Sequence, residues 1–317
     1  MIHAMPASVI VFLFILLSSS VRAGSPAFSD FLSPDTEPVF IKGFLTLPRL
    51  SLSIKGEGID ETWFDPNSVL SLGVAASWRG YGGRLSVRAA GGEDPDLYGT
   101  TRYYDAQLRW YREPLAVDGY LQSYRGYHIR DLPGDCRRGD PCSLRPDLRI
   151  RHAAAIVHYI FDPRWSKQAV YNQSGRPDQS GGSWLLFGGF NLLDMSNDGP
   201  LLDDLDPPLD GGRFYIASLG PGYGHTFVRG PWYLSPVFTL GAGLMYADHS
   251  VFSDDDDASV TDWHPIIKVG LKIASGYAGD TWRFGIDTGV DSPAYRLDDI
   301  HIQWFAGQVE FYIGRHF

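Results

Sequence analysis

The chain has 317 residues, a formal net charge of −10, 44% hydrophobic and 14% aromatic residues, 36 glycines and two cysteines. This composition excludes a disulfide-built miniprotein, which needs more cysteine, and a disordered chain, which carries far fewer aromatic residues. The acidic balance argues against a nucleic-acid-binding protein, because phosphate binding requires a basic surface. Abundant glycine and aromatic residues at moderate hydrophobicity indicate an all-β protein, barrels included.

The N-terminal residues predict export. Residues 9–17 form a short apolar core, and residues 18–23 read SSSVRA, a small-residue cleavage pattern. The apolar run is too short to span a membrane, so we interpret residues 1–23 as a signal peptide. Residues 24–43 are then a periplasmic lead, and the folded barrel occupies residues 44–317. Export places Cys136 and Cys142 where disulfides persist, so we expect them to form a small clip.

Segments with alternating polarity follow the signal, among them residues 49–55, 70–79, 104–111 and 282–291. Two architectures produce this pattern: a soluble β-sandwich with its apolar face inside, or a transmembrane antiparallel β-barrel with its apolar face toward lipid. The segments reach about ten residues, the length of a tilted spanning strand. Short and long connections also alternate along the chain, which favours the transmembrane barrel.

The strand number follows from parity. Thirteen segments resemble strands, but Lys167–Ser174 is short and alternates poorly. If residues 162–182 form one irregular periplasmic connection, twelve strands remain, which is the even number expected when both ends lie in the periplasm. We therefore predict about twelve strands, within a range of 10–14, and leave open whether this connection is a turn or a plug. A phase change in the last strand predicts a β-bulge near Ala306 and Gly307.

The C-terminal strand predicts the location of the protein in a membrane and one protein partner. The last strand alternates and ends on Phe317, which looks like the recognition signal of the bacterial barrel-assembly machinery. We therefore expect a multi-pass barrel in the outer membrane that contacts its lipid bilayer and that machinery, and no nucleic acid. The oligomeric state stays open.

Four segments together resemble an uncharacterised family of bacterial barrels known as domain of unknown function 4421. The segments are 103–129, 145–165, 172–190 and 220–228. The resemblance runs from about residue 40 to the C-terminus. It implies an outer-membrane β-barrel, but it brings no reaction, substrate or catalytic residue. The cysteine pair and the SDDDD loop depart from the family pattern.

The polar face of the strands predicts a charged interior. Its basic residues are Arg49, Lys55, Arg79, Arg84, Arg88, Arg109, Arg149, Arg151, Lys268, Lys272 and Arg283, and its acids are Asp105, Asp118, Asp287, Asp291 and Glu310. Eleven cations against five carboxylates would attract anions and predict a narrow anion-favouring pore. Alternatively, the charges pair with one another and fill a structural barrel that does not conduct.

Other chemistry has weaker support. A lipid-modifying hydrolase is the main alternative function, and an exported β-sandwich that binds a ligand is another. Histidines 152, 158, 225 and 264 and serines 166, 174, 180 and 183 lie in suitable regions, but no G-x-S-x-G motif is present. We therefore expect no enzyme and no cofactor. The loop residues Asp254, Asp255, Asp256 and Asp257 could bind a cation such as Ca²⁺, although a solvated acidic surface loop is the default interpretation.

Overall fold

The computed structural model describes residues 39–56, 61–67, 70–90, 95–112, 114–130, 144–162, 164–165, 167–198, 201, 209–251, 258–297 and 300–317. The predicted signal peptide (residues 1–23), the predicted periplasmic lead up to residue 38, Cys136 and Cys142, and the loop at 254–257 fall outside these residues. In the described ranges no helix is long and apolar enough to cross a membrane.

One antiparallel sheet contains every strand of the described residues. The strands are β1 (Phe40–Lys55), β2 (Thr62–Pro66), β3 (Leu70–Trp78), β4 (Tyr81–Ala90), β5 (Arg102–Arg112), β6 (Leu115–Arg130), β7 (Leu144–Ile160), β8 (Gly181–Ser196), β9 (Leu209–Arg229), β10 (Trp232–Val251), β11 (Ala258–Ala278), β12 (Trp282–Leu297) and β13 (Ile300–His316). Two helical turns, α1 (Pro95–Tyr98) and α2 (Lys167–Tyr171), complete the elements. β1 begins four residues before the expected barrel boundary at residue 44.

The sheet closes into a ring because β1 pairs with β13. β1 and β3–β13 make twelve strands around this ring, which confirms the predicted number. The shear of the barrel follows from the pairs of directly opposite residues. A path that starts at Trp232 and steps from each strand to the next returns to β10 at Tyr246, fourteen residues further along the chain. A shear of this size in a twelve-stranded ring tilts the strands by about 40°.

The ring has two different ends. The turn end carries Phe40, His316, the tight connections at 79–80 and 230–231 and the long connection at 161–180, whereas the loop end carries the connections that follow β1, β4, β6, β8, β10 and β12. β2 was not anticipated. At the loop end it pairs with β1 (Leu52↔Phe64) and with β6 (Phe64↔Ile129), beyond the last pairs of the shorter β3 and β5. The loop end is therefore bounded by ten strands rather than twelve.

The predicted β-bulge in the last strand is wrong. β13 pairs with β1 in one unbroken register, from Phe40↔His316 to Lys55↔His301. The phase change in the sequence has another cause. Phe311 and Ile313 point outward and are exposed, whereas Ile302 and Trp304 point inward and are buried. The same strand thus presents apolar residues to opposite sides at its two ends.

A continuous apolar belt covers the outside of the ring. Along β10, for example, Leu234, Phe238, Leu240 and Leu244 are all about half exposed. Aromatic residues border the belt: Trp232 packs on Tyr277 and Phe284 near the turn end, and Tyr246 packs on Trp263 toward the loop end. A closed ring with an apolar exterior excludes the soluble β-sandwich and has the outer surface of a membrane barrel.

Candidate functional site

The connection between β7 and β8 fills the turn end of the barrel. The side chains of Ala169 and Val170 in α2 are completely buried, and Trp165 just before α2 is 3% exposed. They pack against inward-facing residues of the wall, including Leu185 and Tyr233. The Tyr233 hydroxyl also donates a hydrogen bond to the Ala169 carbonyl oxygen at 3.3 Å. This connection, for which the sequence allowed either a turn or a plug, is therefore a plug.

Gln173 fastens this plug to the wall. Its backbone is left-handed (φ 58°), a conformation that non-glycine residues adopt at a cost and that surrounding contacts must maintain. Its side-chain oxygen accepts a hydrogen bond from Lys42 at 2.7 Å, and its amide donates to Asp287 at 2.5 Å. The Arg109 guanidinium also donates to the Tyr171 carbonyl oxygen. Groups on β1, β5 and β12 thus hold one short segment.

A network of buried ion pairs lies around the plug. Glu310 accepts a hydrogen bond from Lys42 at 2.5 Å and forms an ion pair with Arg84 at 2.6 Å, and all three side chains are at most 3% exposed. Further pairs join Arg109 to Asp118 at 3.3 Å, Lys272 to Asp287 at 2.6 Å and Lys268 to Asp291 at 2.8 Å. Such pairs satisfy their charges locally, so little field remains to attract a mobile ion.

A cavity of about 160 Å³, lined by both polar and apolar residues, lies farther toward the loop end. His152 is hydrogen-bonded on both ring nitrogens, to Gln122 at 3.0 Å and to Asn191 at 3.1 Å. Lys268 and Tyr120 also line the cavity. It is large enough to hold several water molecules. The cavity lies inside the barrel and is bordered by Tyr171 of the plug.

An apolar cluster fills the loop end above this cavity. Trp304 packs edge-on against Phe214 with ring centroids 6.1 Å apart, and both side chains are at most 1% exposed. Phe64 of β2 and Tyr127 of β6 belong to the same cluster. The complete buried set is Leu50, Leu52, Ile54, Phe64, Tyr124, Tyr127, Ile129, Leu148, Ile150, Leu193, Met195, Leu201, Phe214, Ile216, Met245, Ala247, Ile266, Ile302 and Trp304. From the ion-pair network to the loop end, the interior therefore changes from polar to apolar.

The expected interior charges divide into two groups. Ten lie on the inner wall: Arg84, Asp105, Arg109, Asp118, Lys268, Lys272, Arg283, Asp287, Asp291 and Glu310. Lys42 also faces inward and was missed, because β1 begins before residue 44. The described inner wall thus holds six cations and five carboxylates, not eleven and five.

The other expected interior charges lie elsewhere. Arg49 and Lys55 of β1 and Arg149 and Arg151 of β7 are on the outer face, because their neighbours Leu50, Ile54, Leu148 and Ile150 turn inward. Arg79 is in the turn after β3 and stacks on Trp78 at 4.6 Å. Arg88 is exposed near the loop end of β4 and donates to the Thr101 carbonyl oxygen at 3.2 Å. For the four residues of β1 and β7 the cause is the buried apolar layer, which sequence alternation did not distinguish from a lipid-facing surface.

No serine–histidine–acid arrangement occurs among the described residues. His152, His158 and His264 face the interior, and His158 Nδ1 lies 3.8 Å from Asp118. His225 contacts the Tyr223 hydroxyl at 3.2 Å. Of the candidate serines, Ser180 accepts from the Val228 amide and Ser183 from the Asp162 amide; Ser166 is outside the described residues. The described ranges also hold no cluster suited to a metal ion.

Phe317 lies at the seam that closes the ring. Its backbone amide donates to the Val39 carbonyl oxygen at 2.9 Å, and its side chain is 67% exposed. The Arg315 guanidinium lies over its ring, 5.1 Å from the centroid. The terminal aromatic side chain is therefore presented outward, at the junction of the first and last strands.

The closed ring, the apolar belt and the filled interior define an outer-membrane β-barrel fold. A family model matches residues 29–317, and the chain belongs to that family, domain of unknown function 4421 (DUF4421). No curated protein matches the chain significantly.

Solved structures with a similar course of the chain are bacterial barrels. The translocator domain of autotransporter NalP from Neisseria meningitidis is 10% identical, with 98% of this chain and 97% of that chain covered and a TM-score of 0.40. The outer membrane protease OmpT from Escherichia coli is 9% identical, with 90% and 98% covered and a TM-score of 0.35. Ail, the attachment invasion locus protein of Yersinia pestis, is 9% identical, with 86% and 97% covered and a TM-score of 0.29. At these TM-scores the likenesses support no inference about activity.

Proposed function

We propose that this protein is a sealed, non-conducting β-barrel that spans the bacterial outer membrane, with its turn end in the periplasm. One observation carries the proposal: side chains fill the interior at both ends of the barrel. The plug around α2 fills the turn end, and the buried cluster around Trp304 fills the loop end. Because a hydrated ion cannot cross a close-packed apolar layer cheaply, no steady ion flow is expected.

The charge balance supports a sealed barrel over an anion-favouring pore. The described inner wall carries six cations and five carboxylates, and most of them form short pairs. An interior of this kind has almost no net field to concentrate anions. The charges instead hold the plug and join strands of the wall, most of them neighbours.

Planar bilayer recording tests the seal. The wild-type protein should show no steady conductance. Removal of residues 167–178 should also leave the bilayer insulating, because the loop-end cluster remains. Adding Trp304→Ala and Phe214→Ala to that deletion should produce ion flow. Steady conductance of the folded wild-type barrel, or of the plug deletion alone, would show that the loop-end cluster does not seal the lumen.

Membrane fractionation tests the location. We expect the protein in the outer-membrane fraction, with the heat-modifiable electrophoretic mobility of a barrel. The exposed side chain of Phe317 is expected to be read by the barrel-assembly machinery, so Phe317→Ala should lower the amount of folded barrel in the membrane. A Phe227→Ala variant serves as a control, because this aromatic residue is also exposed near the turn end. Recovery of the wild type as a soluble periplasmic protein would contradict the proposal.

We also propose that the protein is not a lipid-modifying enzyme. The support is the arrangement of the histidines: three point into the lumen, away from lipid, and His225 lies beside Tyr223 rather than a serine. A phospholipid hydrolysis assay in detergent micelles with calcium should give only the background rate. Turnover that disappears in His225→Ala would overturn this part of the proposal.

A further inference from the structure

A group of arginines lies on the outer face of the ring near the loop end. Arg102 of β5 is directly opposite Arg125 of β6, and Arg125 is directly opposite Arg149 of β7. Three arginines on three successive strands thus form one row across the sheet. We call this group the arginine row.

This arrangement costs free energy in the isolated barrel. Like charges that face each other directly across strands are destabilising, since their Cβ atoms are only about 5 Å apart. Within the described ranges, no ion pair or hydrogen bond joins the arginine row to a carboxylate. Two more arginines lie beside it, Arg151 and Arg213, and these share Asp194 at 3.3 and 3.8 Å. The described side chains of this surface therefore keep an excess of positive charge.

The nearest other carboxylate does not remove this excess. Asp147 precedes Arg149 by two residues on the same face, and its carboxylate accepts a hydrogen bond from the Asp198 amide at 3.2 Å. Asp248 of β10 is directly opposite Arg213. Among the described side chains of this outer region, the carboxylates Asp147, Asp194 and Asp248 accompany five arginines. An external anion would supply the missing negative charge.

The level of the row identifies what kind of anion it meets. Leu121, four residues before Arg125 on the same face, is 56% exposed, and Tyr104, two residues after Arg102, is 54% exposed. Both belong to the apolar belt. On the neighbouring side of the ring, Tyr215, Tyr246 and Trp263 form a directly opposed aromatic row next to Arg213. The arginine row therefore lies where the apolar belt ends, at the headgroup level of the leaflet on the loop-end side.

We propose that the arginine row binds the phosphate groups of a glycolipid in the outer leaflet, with the acyl chains against Leu121 and Tyr104. This inference rests on the proposed outer-membrane location. Guanidinium groups bind phosphate with paired hydrogen bonds, and a phosphate between opposed arginines would replace their repulsion with attraction. A lipid fits better than a free anion because the row borders an apolar surface.

Binding to purified barrel in nonionic detergent tests the proposal. The probes are diphosphorylated lipid A, its dephosphorylated counterpart and inorganic phosphate, and native mass spectrometry measures occupancy. The test variant is Arg102→Gln/Arg125→Gln/Arg149→Gln. The control variant, Arg79→Gln/Arg229→Gln/Arg315→Gln, removes the same charge at the turn end. We expect at least tenfold weaker binding of diphosphorylated lipid A to the test variant and unchanged binding to the control.

Thermal unfolding provides a second readout that also reports on folding. Without lipid, the test variant should unfold at the same temperature as the wild type or higher, because repulsion is relieved. With diphosphorylated lipid A, only the wild type and the control should be stabilised. An Arg→Lys version of the triple variant should bind with intermediate affinity, because it keeps the charge but loses paired hydrogen bonds.

Three results would overturn the proposal. Equal binding of phosphorylated and dephosphorylated lipid would remove the role of phosphate. Inorganic phosphate that binds as tightly as lipid A would indicate a free-anion site. A test variant that binds lipid A like the wild type would place binding elsewhere. None of these results depends on conductance, so failure of the lipid site and failure of the sealed-barrel proposal are distinguishable.

Discussion

The turn-end and loop-end halves of the barrel use the same strands but opposite distributions of polarity. In the turn-end half of β1, Ile41 and Leu45 point outward and Lys42 points inward, as in a membrane barrel. In the loop-end half, Leu52 and Ile54 point inward and Lys55 is exposed, as in a water-soluble barrel. The parity of the apolar residues changes between Leu47 and Leu50, with no break in the register.

This difference in polarity shows how one ring of strands can be surrounded by lipid in one half and by water in the other. Where lipid surrounds the wall, apolar side chains are stable outside and charges must be paired inside. Beyond the apolar belt, water surrounds the wall, and the hydrophobic effect drives the same kinds of side chain into the interior. β2 helps, because ten strands enclose a narrower space that side chains such as Phe64 and Trp304 can fill. Substitutions in the two halves should therefore lower the free energy of unfolding through different interactions.

The largest expected effect comes from the ion network of the turn-end half. Glu310→Gln leaves Lys42 and Arg84 buried without their carboxylate, and loss of one partner of a buried pair costs about 3–5 kcal/mol. Urea unfolding in lipid vesicles measures the loss. Asp162→Asn, which breaks an exposed pair with Arg164, is the control and should unfold like the wild type. A Glu310→Gln variant as stable as the wild type would show that the network does not hold this half together.

The apolar filling of the loop-end half should matter nearly as much. Trp304→Ala removes a side chain that is 1% exposed, and such truncations cost about 3–5 kcal/mol through lost burial and the cavity left behind. Trp263→Ala makes the same substitution at an outer position that is 63% exposed, and it should cost less than half as much. Equal losses in the same unfolding assay would contradict the assignment of Trp304 to a packed interior.

A smaller effect is expected on the outer face of the loop end. The carboxylate of Asp65 in β2, outside the spanning strands, accepts hydrogen bonds from Arg130 at 2.8 Å, Ser51 at 2.5 Å and Arg49 at 2.7 Å. Burial acts to raise the pKa of Asp65, but these bonds outweigh it and lower the pKa below its usual value. Asp65→Asn should therefore cost about 1–3 kcal/mol at neutral pH.

The pH dependence of Asp65 follows from the direction of this shift. A carboxyl group with a lowered folded-state pKa stabilises the protein above its unfolded pKa of about 3.9, and the stabilisation is lost as the pH falls through the folded value. The gap between the wild type and Asp65→Asn should thus be constant at neutral pH and close in acid. Unfolding measured from pH 7 to pH 3 checks this. A gap that stays constant down to pH 3 would show that the ionised carboxylate is not what stabilises the cluster.

Period-2 alternation, alternating loop lengths and the odd segment at 167–174 were sufficient to predict an all-β barrel of twelve strands. The same rules misplaced Arg49 and Arg149, because alternation states that two faces differ and not which face meets lipid. β2 was missed because five residues are too few to alternate clearly. The sequence did not decide whether residues 162–182 form a turn or a plug, because the burial of this segment depends on Tyr233, Lys42 and Asp287. These residues come from distant strands.

By itself, the sequence determined the strand number, the closure of the sheet and the family, because these depend on local periodicity and on motifs along one chain. The tertiary structure alone decided which side chains share the interior, where the polar filling gives way to the apolar cluster and which arginines face one another. Each of these depends on the register between strands. Because the strands are tilted by about 40°, residues at different positions along neighbouring strands lie at the same level of the membrane.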